Sequence, residues 1–213
     1  SDLMVSMAES KRGEVPNFTG GEAASITQQG NPYVFRTAFG QSISFPKLAR
    51  YLTAKSKKLA VLYVNNDFGK GGQATIKQLL QGTGTQIVAE ISTESGQVDF
   101  SAAVVQAKQS GADALFAYTI KSVVYGCVIA RLAGIRRVYA LLPGLGFTFV
   151  KPVTLRQKIV SFISETLHRF ALKRADAIFM QNHDDVKLFT EMGMLPTGTA
   201  NDQAAQAARC ALA

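Results

Sequence analysis

The sequence predicts a doubly wound α/β fold built on a mainly parallel sheet of five strands. Three observations lead to this fold class. Short β-branched runs alternate with amphipathic segments, glycines follow several of the predicted helices, and 47% of the 213 residues are hydrophobic, which is enough for a core. Right-handed crossovers, with the second strand outside the first, give the flavodoxin-like strand order 2-1-3-4-5.

The elements follow one another in a regular order. The predicted strands span residues 59–64, 86–91, 114–118, 137–142 and 177–181. Between them, helices are predicted at 73–80, after an N-cap at Asp99, at 122–132 and at 155–174, with a short helix ending near Met192. An extra helix (2–11) and strand (15–19) precede the sheet, residues 33–37 are extended, and an Ala-rich helix closes the chain at 199–213.

Composition excludes several classes. The 23 Lys and Arg against 15 Asp and Glu give a net charge of +8, which permits anionic partners but identifies none. The longest apolar stretch, 123–133, is broken by Arg131 and is too short to span a membrane. No signal peptide is predicted, because no charged segment precedes an apolar one at the start. Cys127 and Cys210 have no metal-site spacing, so we expect two buried thiols, with a disulfide as the alternative.

Several motifs of the first half occur in a known family. Residues 18–27 (Phe-Thr-Gly-Gly-Glu-Ala-Ala-Ser-Ile-Thr), 30–37 (Gly-Asn-Pro-Tyr-Val-Phe-Arg-Thr) and 61–71 (Val-Leu-Tyr-Val-Asn-Asn-Asp-Phe-Gly-Lys-Gly) resemble the branched-chain amino-acid class of periplasmic binding proteins. Residues 99–101 and 111–116 continue the resemblance, which covers about 1–118. It implies a lobe that closes on an amino acid, an amide or an aromatic acid.

The second half resembles a different family. Residues 119–126, 130–134, 144–147, 172–176 and 179–185 look like the N-terminal domain of a family-4 GT-B glycosyltransferase. The charge changes at the same place, since residues 1–118 carry 11 basic and 9 acidic side chains and residues 119–213 carry 12 and 6. We therefore interpret the chain as an engineered chimera, joined near Tyr118. The first half indicates a periplasmic origin and the second a cytoplasmic one.

This interpretation divides the chain into regions of one α/β domain, 1–213. Residues 1–40 form an extension derived from a binding-protein first lobe, 41–118 the binding-protein-like half, 119–196 the glycosyltransferase-like half, and 197–213 a C-terminal helix. Residues 1–30, cut from a larger lobe, are expected to favour a homodimer or a domain swap.

The candidate ligand-binding residues lie in three loops. Gly20, Gly21 and Glu22 resemble the first-lobe loop that holds ligand amino and carboxylate groups, with an exposed loop as the alternative. Asn66 and Phe68 lie in the glycine-rich segment 65–72, where backbone N–H groups could bind a carboxylate and the resemblance implies an aromatic contact from Phe68. The alternative there is a tight turn before a capped helix.

Two further positions belong to the strand ends. Tyr118 ends the third strand, Lys121 follows it, and the two complete the predicted ligand-binding set. In the glycosyltransferase resemblance, Lys121 and the loop containing Gly144 and Gly146 face the acceptor. Because no donor domain with a glutamate pair follows residue 196, we predict that the chain is not an enzyme and has no catalytic residues, cofactor or metal.

The two histidines and the basic helix 155–174 are the remaining features that bear on metal, membrane or nucleic-acid binding. His183 precedes Asp184 and Asp185, but helix capping explains this acidic pair better than a metal site does. His168 is expected at the surface of the basic helix 155–174, whose predicted apolar face contains Ile159, Phe162, Ile163, Leu167, Phe170 and Ala171. That helix predicts at most a weak contact with an anionic membrane and no nucleic-acid binding.

Three functions remain open at this point. The first is a non-catalytic module with residual affinity for a small amino-acid-like ligand at the carboxyl ends of the strands. The second is an acceptor-binding glycosyltransferase fragment, and the third is a recombinant chain with no function beyond a stable fold.

Overall fold

Helices and strands alternate along most of the chain. A computed structural model describes residues 2–21, 23–37, 40–94, 96–143 and 154–195. The helices are α1 (Asp2–Gly13), α2 (Gln41–Lys55), α3 (Asp67–Leu80), α4 (Ser101–Gln109), α5 (Ile120–Ala133), α6 (Leu155–Leu172) and α7 (His183–Glu191). The strands are β1 (Asn17–Thr19), β2 (Val34–Arg36), β3 (Lys58–Val64), β4 (Gln86–Thr93), β5 (Ala114–Tyr118), β6 (Arg137–Leu142) and β7 (Ala177–Met180).

Five of these strands form one parallel sheet in the order β4-β3-β5-β6-β7. This is the predicted order 2-1-3-4-5, so the fold class is confirmed. The reversal of strand order lies between β3 and β5, which are directly paired from Leu59 and Ala114 to Leu62 and Ala117. Open α/β sheets bind ligands at the carboxyl ends of the strands beside such a reversal.

The alternation of side chains along β3 explains why helices cover both faces of the sheet. Leu59 and Val61 belong to a core cluster shared with α2 and α3, whereas Ala60 and Leu62 belong to a second cluster shared with α4, α5 and the C-terminal end of α6. Successive residues of a strand point to opposite faces, and both faces of this strand are apolar. The central strands are therefore buried on both sides.

Helix α2 was not predicted from the sequence. It starts after Gly40, carries Pro46 within its second turn, and buries Phe45, Leu48 and Leu52. Proline and two serines weaken the helical pattern here, but the spacing of the buried residues fits one helical face. Packing against β3 therefore outweighs a poor local propensity.

Two predicted helix starts were wrong. Helix α3 begins at Asp67 instead of residue 73, so Gly69, Gly71 and Gly72 lie in its first turns and not in a loop. Asp99 accepts a hydrogen bond from the backbone N–H of Ser101 (2.8 Å), but the N-cap position of α4 is Phe100.

The N-terminal residues form a small separate layer. Strands β1 and β2 pair in parallel as a two-stranded sheet, and Met7 of α1 packs with Ile26 and Val34. The predicted extra helix and strand are thus present, with β2 added as the partner of the strand.

Helix α6 turns its predicted apolar face outward. Ile159, Phe162, Ile163, Leu167 and Phe170 are all 47% exposed or more, whereas Ser161, His168, Ala171 and Leu172 are buried. The expectation that His168 lies at the surface was wrong, because the helix packs through its smaller and more polar side. Among the described residues, no helix is long and apolar enough to cross a membrane.

Candidate functional site

The carboxyl ends of β3, β4 and β5 meet at one edge of the sheet. Asn65 follows β3 and donates its side-chain amide to Glu94 Oε1, just after β4, at 2.7 Å. Its backbone N–H donates to the carbonyl of Thr93 (2.8 Å). These two bonds hold the ends of the neighbouring strands together, and we call this part of the edge the rim of the candidate site.

Asn66 sets the direction of α3 at this rim. Its side-chain oxygen accepts the backbone N–H of Gly69 (2.8 Å), which makes Asn66 the N-cap of the helix. Gly69 passes close to β3, since a Cβ at this position would lie 1.9 Å from the carbonyl oxygen of Val64. The capped-helix alternative for segment 65–72 therefore describes the geometry, and the Asn66 oxygen is already used.

Tyr118, the last residue of β5, lies under this turn and is only 1% exposed. The Phe68 ring packs on it with centroids 4.9 Å apart, and Phe45 meets its edge at 5.4 Å. Gln41 donates its side-chain amide to the Tyr118 hydroxyl and to the Phe68 carbonyl, the latter at 2.9 Å. Tyr118 is thus the floor of the site and is not open to solvent.

Gln41 was missed by the sequence analysis. It starts α2 and lies 77 positions from Tyr118, so no local spacing relates the two residues. The only sequence signal is its place directly after Gly40, where α2 begins and the chain enters the five-stranded unit.

Three of the predicted residues, Asn66, Phe68 and Lys121, reach the surface. Phe68 is half-buried, and Lys121, in the first turn of α5, is exposed. Between Tyr118 and Lys121, Thr119 has φ +88° and ψ 154°, a backbone conformation that only glycine adopts readily. Its hydroxyl lies 3.2 Å from that of Ser122.

The remaining predicted residues lie in the N-terminal layer or outside the described residues. Gly20 and Gly21 follow β1 in the N-terminal layer, where Gly21 donates its N–H to the Thr19 hydroxyl (3.1 Å). Glu22, Gly144 and Gly146 lie outside the described residues, as do Cys210 and the predicted helix 199–213.

The acidic residues in the described part of the chain do not form a metal site. No group of three or more His, Cys, Asp or Glu side chains that could hold a metal occurs within them. After β7, Asn182 caps α7 by accepting the Asp185 N–H at 2.7 Å, and burial raises the pKa of the Asp185 carboxyl against the opposing effect of the Asn182 hydrogen bond. The capping role expected of the acidic pair is therefore filled by Asn182.

Comparison with known proteins gives the family. A periplasmic binding protein family model matches residues 6–182. The chain belongs to this family. Because the match extends past Tyr118 to residue 182, it gives no support to a chimera or to a glycosyltransferase-like second half. It is a family of binding proteins, which agrees with the expectation that the chain is not an enzyme.

Individual relatives are similar over different parts of the chain. The leucine-specific-binding protein of Salmonella typhimurium is 27% identical over 93 residues, which are 43% of this chain and 25% of that protein. A leucine-binding protein from Thermotoga maritima has a TM-score of 0.64 at 16% identity, covering 96% of this chain and 58% of its own.

Two other solved structures are similar in fold. A type 1 periplasmic binding protein from Bordetella pertussis has a TM-score of 0.59 at 20% identity, covering 65% of this chain and 40% of its own. The second is a solute-binding protein of an ABC transporter from Rhodopseudomonas palustris, in complex with 3,4-dihydroxybenzoic acid. It has a TM-score of 0.54 at 21% identity, covering 67% of this chain and 40% of its own. The chain therefore spans about a quarter of its curated relatives and 58% or less of these structures.

Proposed function

We propose that this chain binds a small carboxylate, an amino acid or an aromatic acid, at the carboxyl edge between β3 and β5. One observation carries the proposal: a half-buried aromatic ring, Phe68, is held over a buried Tyr118 by hydrogen bonds from Gln41, at the point where strand order reverses. A ligand ring or aliphatic side chain would pack on the outer face of Phe68. We assign the ligand carboxylate to Lys121, an exposed cation in the first turn of α5, three residues after Tyr118.

Related proteins support this class of ligand. Their names refer to leucine and to benzoates. Asn66 and Tyr118 act through Phe68 in this proposal, Asn66 by fixing the helix and Tyr118 by supporting the ring. No catalysis is involved.

The test is a thermal-shift series with leucine, benzoate and 4-hydroxybenzoate at millimolar concentration. A ligand that binds only the folded state raises Tm. At a ligand concentration of 100 times Kd it adds about 2.7 kcal/mol to the free energy of unfolding. We expect Phe68→Ala and Lys121→Gln to abolish the shift, and Phe18→Ala, an exposed ring on β1, to keep it. Absence of any shift in the parent chain, or an equal shift in Phe68→Ala, would exclude the proposed site.

We also propose that residues 1–213 fold as one α/β domain, with residues 1–40 as an extension that can exchange with a second copy. Phe18 and Phe35 support the exchange, because they stack at 5.3 Å between centroids while 69% and 46% exposed. Sedimentation velocity at increasing concentration would show a dimer that Phe18→Ser weakens. A monomer at all concentrations would rule out the exchange.

A further inference from the structure

From the exposed side of α6 we infer a second interaction surface: this helix lies flat on an anionic lipid bilayer. The surface, called here the α6 apolar face, consists of Leu155, Ile159, Phe162, Ile163, Leu167 and Phe170, which are between 47% and 74% exposed. It is independent of the ligand site at the carboxyl edge.

The α6 apolar face is one continuous stripe. Positions 155, 159, 162, 163, 167 and 170 recur at the three- and four-residue spacing of a single helical face. Two of them are phenylalanines, Phe162 and Phe170, which are 71% and 50% exposed. An aromatic side chain has about 150–250 Å² of surface, so these two rings alone expose on the order of 200 Å² of apolar surface. Contiguous apolar areas above a few hundred Å² on a protein surface mark interaction sites.

The helix already packs against the protein through its other side. Ser161 and His168, two turns apart, are buried together with Ala171 and Leu172. Thr154 and Gln157 form a complete capping box at the N-terminus, which fixes where the helix starts. The exposed stripe is therefore a feature of a well-seated helix, and turning it inward would expose the residues that are now buried.

The charges around the stripe favour an anionic surface. Helix α6 carries Arg156, Lys158 and Arg169 against the single acid Glu165, and Lys173 and Arg174 follow directly. The guanidinium of Arg174 lies 3.4 Å from the centre of the Phe170 ring, so this cation is held beside the apolar stripe. Amphipathic helices with basic flanks and Phe or Leu on the apolar face bind in the plane of anionic membranes, with the apolar face inserted about 5–10 Å.

The same charges disfavour a contact between the α6 apolar face and a second copy of the chain. A two-fold contact through the α6 apolar face would bring two sets of these basic side chains together, and like charges across an interface weaken it. A bilayer containing anionic lipid instead attracts each of them. A single Lys or Arg near such a surface strengthens binding about fivefold.

A fluorescent reporter tests the orientation of the helix. The chain contains no Trp, so Phe162→Trp introduces a single indole on the α6 apolar face. We expect its emission to shift to the blue, and to be quenched by brominated acyl chains, with vesicles of phosphatidylcholine and phosphatidylglycerol. Phe18→Trp is the matched control, because Phe18 is 69% exposed and Phe162 71%, and its emission should not change.

Co-sedimentation with the same vesicles tests the two components of binding. We expect Phe162→Ser and Lys158→Glu each to weaken binding at least fivefold, whereas Ile43→Ser, at a 60% exposed position on α2, and Lys108→Glu, an exposed lysine on α4, leave it unchanged. Salt at about 1 M, where the Debye length falls to about 3 Å, should also weaken it. Unchanged circular dichroism melting shows that the variants fold.

Three results would overturn the inference. Equal binding to pure phosphatidylcholine would mean that the charges play no part. A concentration-dependent dimer that Phe162→Ser disrupts, without vesicle binding, would assign the face to a second copy. A monomer that binds neither vesicle would leave the α6 apolar face without the proposed role.

Discussion

Gly72 of α3 lies directly against the ring of Tyr118, so closely that a Cβ on Gly72 would be 2.4 Å from Cε1 of the tyrosine. Real Cβ atoms do not approach other atoms this closely, and the ring is held by Phe45, Phe68 and Gln41. Glycine at this position therefore lets α3 approach the sheet and places Phe68 over Tyr118.

We predict that Gly72→Ala destabilises the protein. Overpacking costs about 1–3 kcal/mol, which exceeds the gain of about 1 kcal/mol that Ala brings to a helix over Gly. Urea unfolding measures the difference. Gly71→Ala, one position earlier, has the same helical gain, and its Cβ would lie 3.0 Å from Gln41 Oε1, a contact that a shift of a few tenths of an ångström relieves, so it should cost less than Gly72→Ala. Equal effects of the two substitutions would disprove the close-packing explanation.

A second prediction concerns Thr119, whose φ of +88° and ψ of 154° are unfavourable for any residue with a side chain. Such a conformation costs about 1–3 kcal/mol, and glycine relieves it. Thr119→Gly and Thr119→Ala both lose the contact with the Ser122 hydroxyl, so the contact cancels in their comparison. We expect the glycine variant to be more stable than the alanine variant by about 1 kcal/mol or more.

In the middle of an ordinary helix or strand the two variants would have the opposite order of stability, because glycine there destabilises a protein by about 0.5–1 kcal/mol relative to alanine. Urea midpoints of the two variants decide the question. If Ala is the more stable of the two, the backbone of Thr119 does not have a positive φ.

The sheet could be predicted because its signals are local. The run from Leu59 to Val64 is apolar on both faces, and a predicted helix separates it from the next strand, so alternation and handedness give the strand order. The start of α3 could not be predicted, because the glycines at 69, 71 and 72 have a low helix propensity and indicate a loop. Their approach to Val64 and Tyr118, which explains them, is a tertiary contact.

The candidate site could be predicted only in part for a similar reason. Asn66, Phe68 and Lys121 lie just after strands and Tyr118 ends one, so the strand-end rule and the family resemblances pointed to them, whereas Gln41 meets Tyr118 across 77 positions and carries no local signal. Periodicity also found the apolar face of α6, but it cannot tell which side of an amphipathic helix is covered. The structure buries the side with Ser161 and His168 instead.

A third prediction follows from the burial of His168. Burial lowers the pKa of this imidazole, opposed by the hydrogen bond that Nδ1 donates to the Ser164 carbonyl at 2.7 Å. The folded state therefore prefers the neutral ring. Its contribution to stability is present above the unfolded pKa of about 6.5 and is lost as the pH falls from there towards the lower folded pKa.

Substitution isolates this contribution. We expect His168→Gln to flatten the loss of Tm between pH 7 and pH 5 relative to the parent chain. A His168→Gln profile parallel to that of the parent would show that His168 titrates in the folded state as it does in the unfolded one.

The last prediction concerns Cys127, which is fully buried in α5 within the core cluster on the α4–α5 face of the sheet. Burial raises the pKa of its thiol to about 12, despite the opposing influence of Arg131 and Arg174. Only the thiolate attacks a disulfide reagent, so the folded protein has almost no reactive form of this residue at pH 8. In a Cys210→Ser variant, which leaves Cys127 as the only thiol of the chain, we expect no reaction with Ellman's reagent until denaturant is added, and one thiol per chain after that. Rapid labelling without denaturant would mean that α5 opens locally or packs differently, because the thiol would then have access to both solvent and reagent.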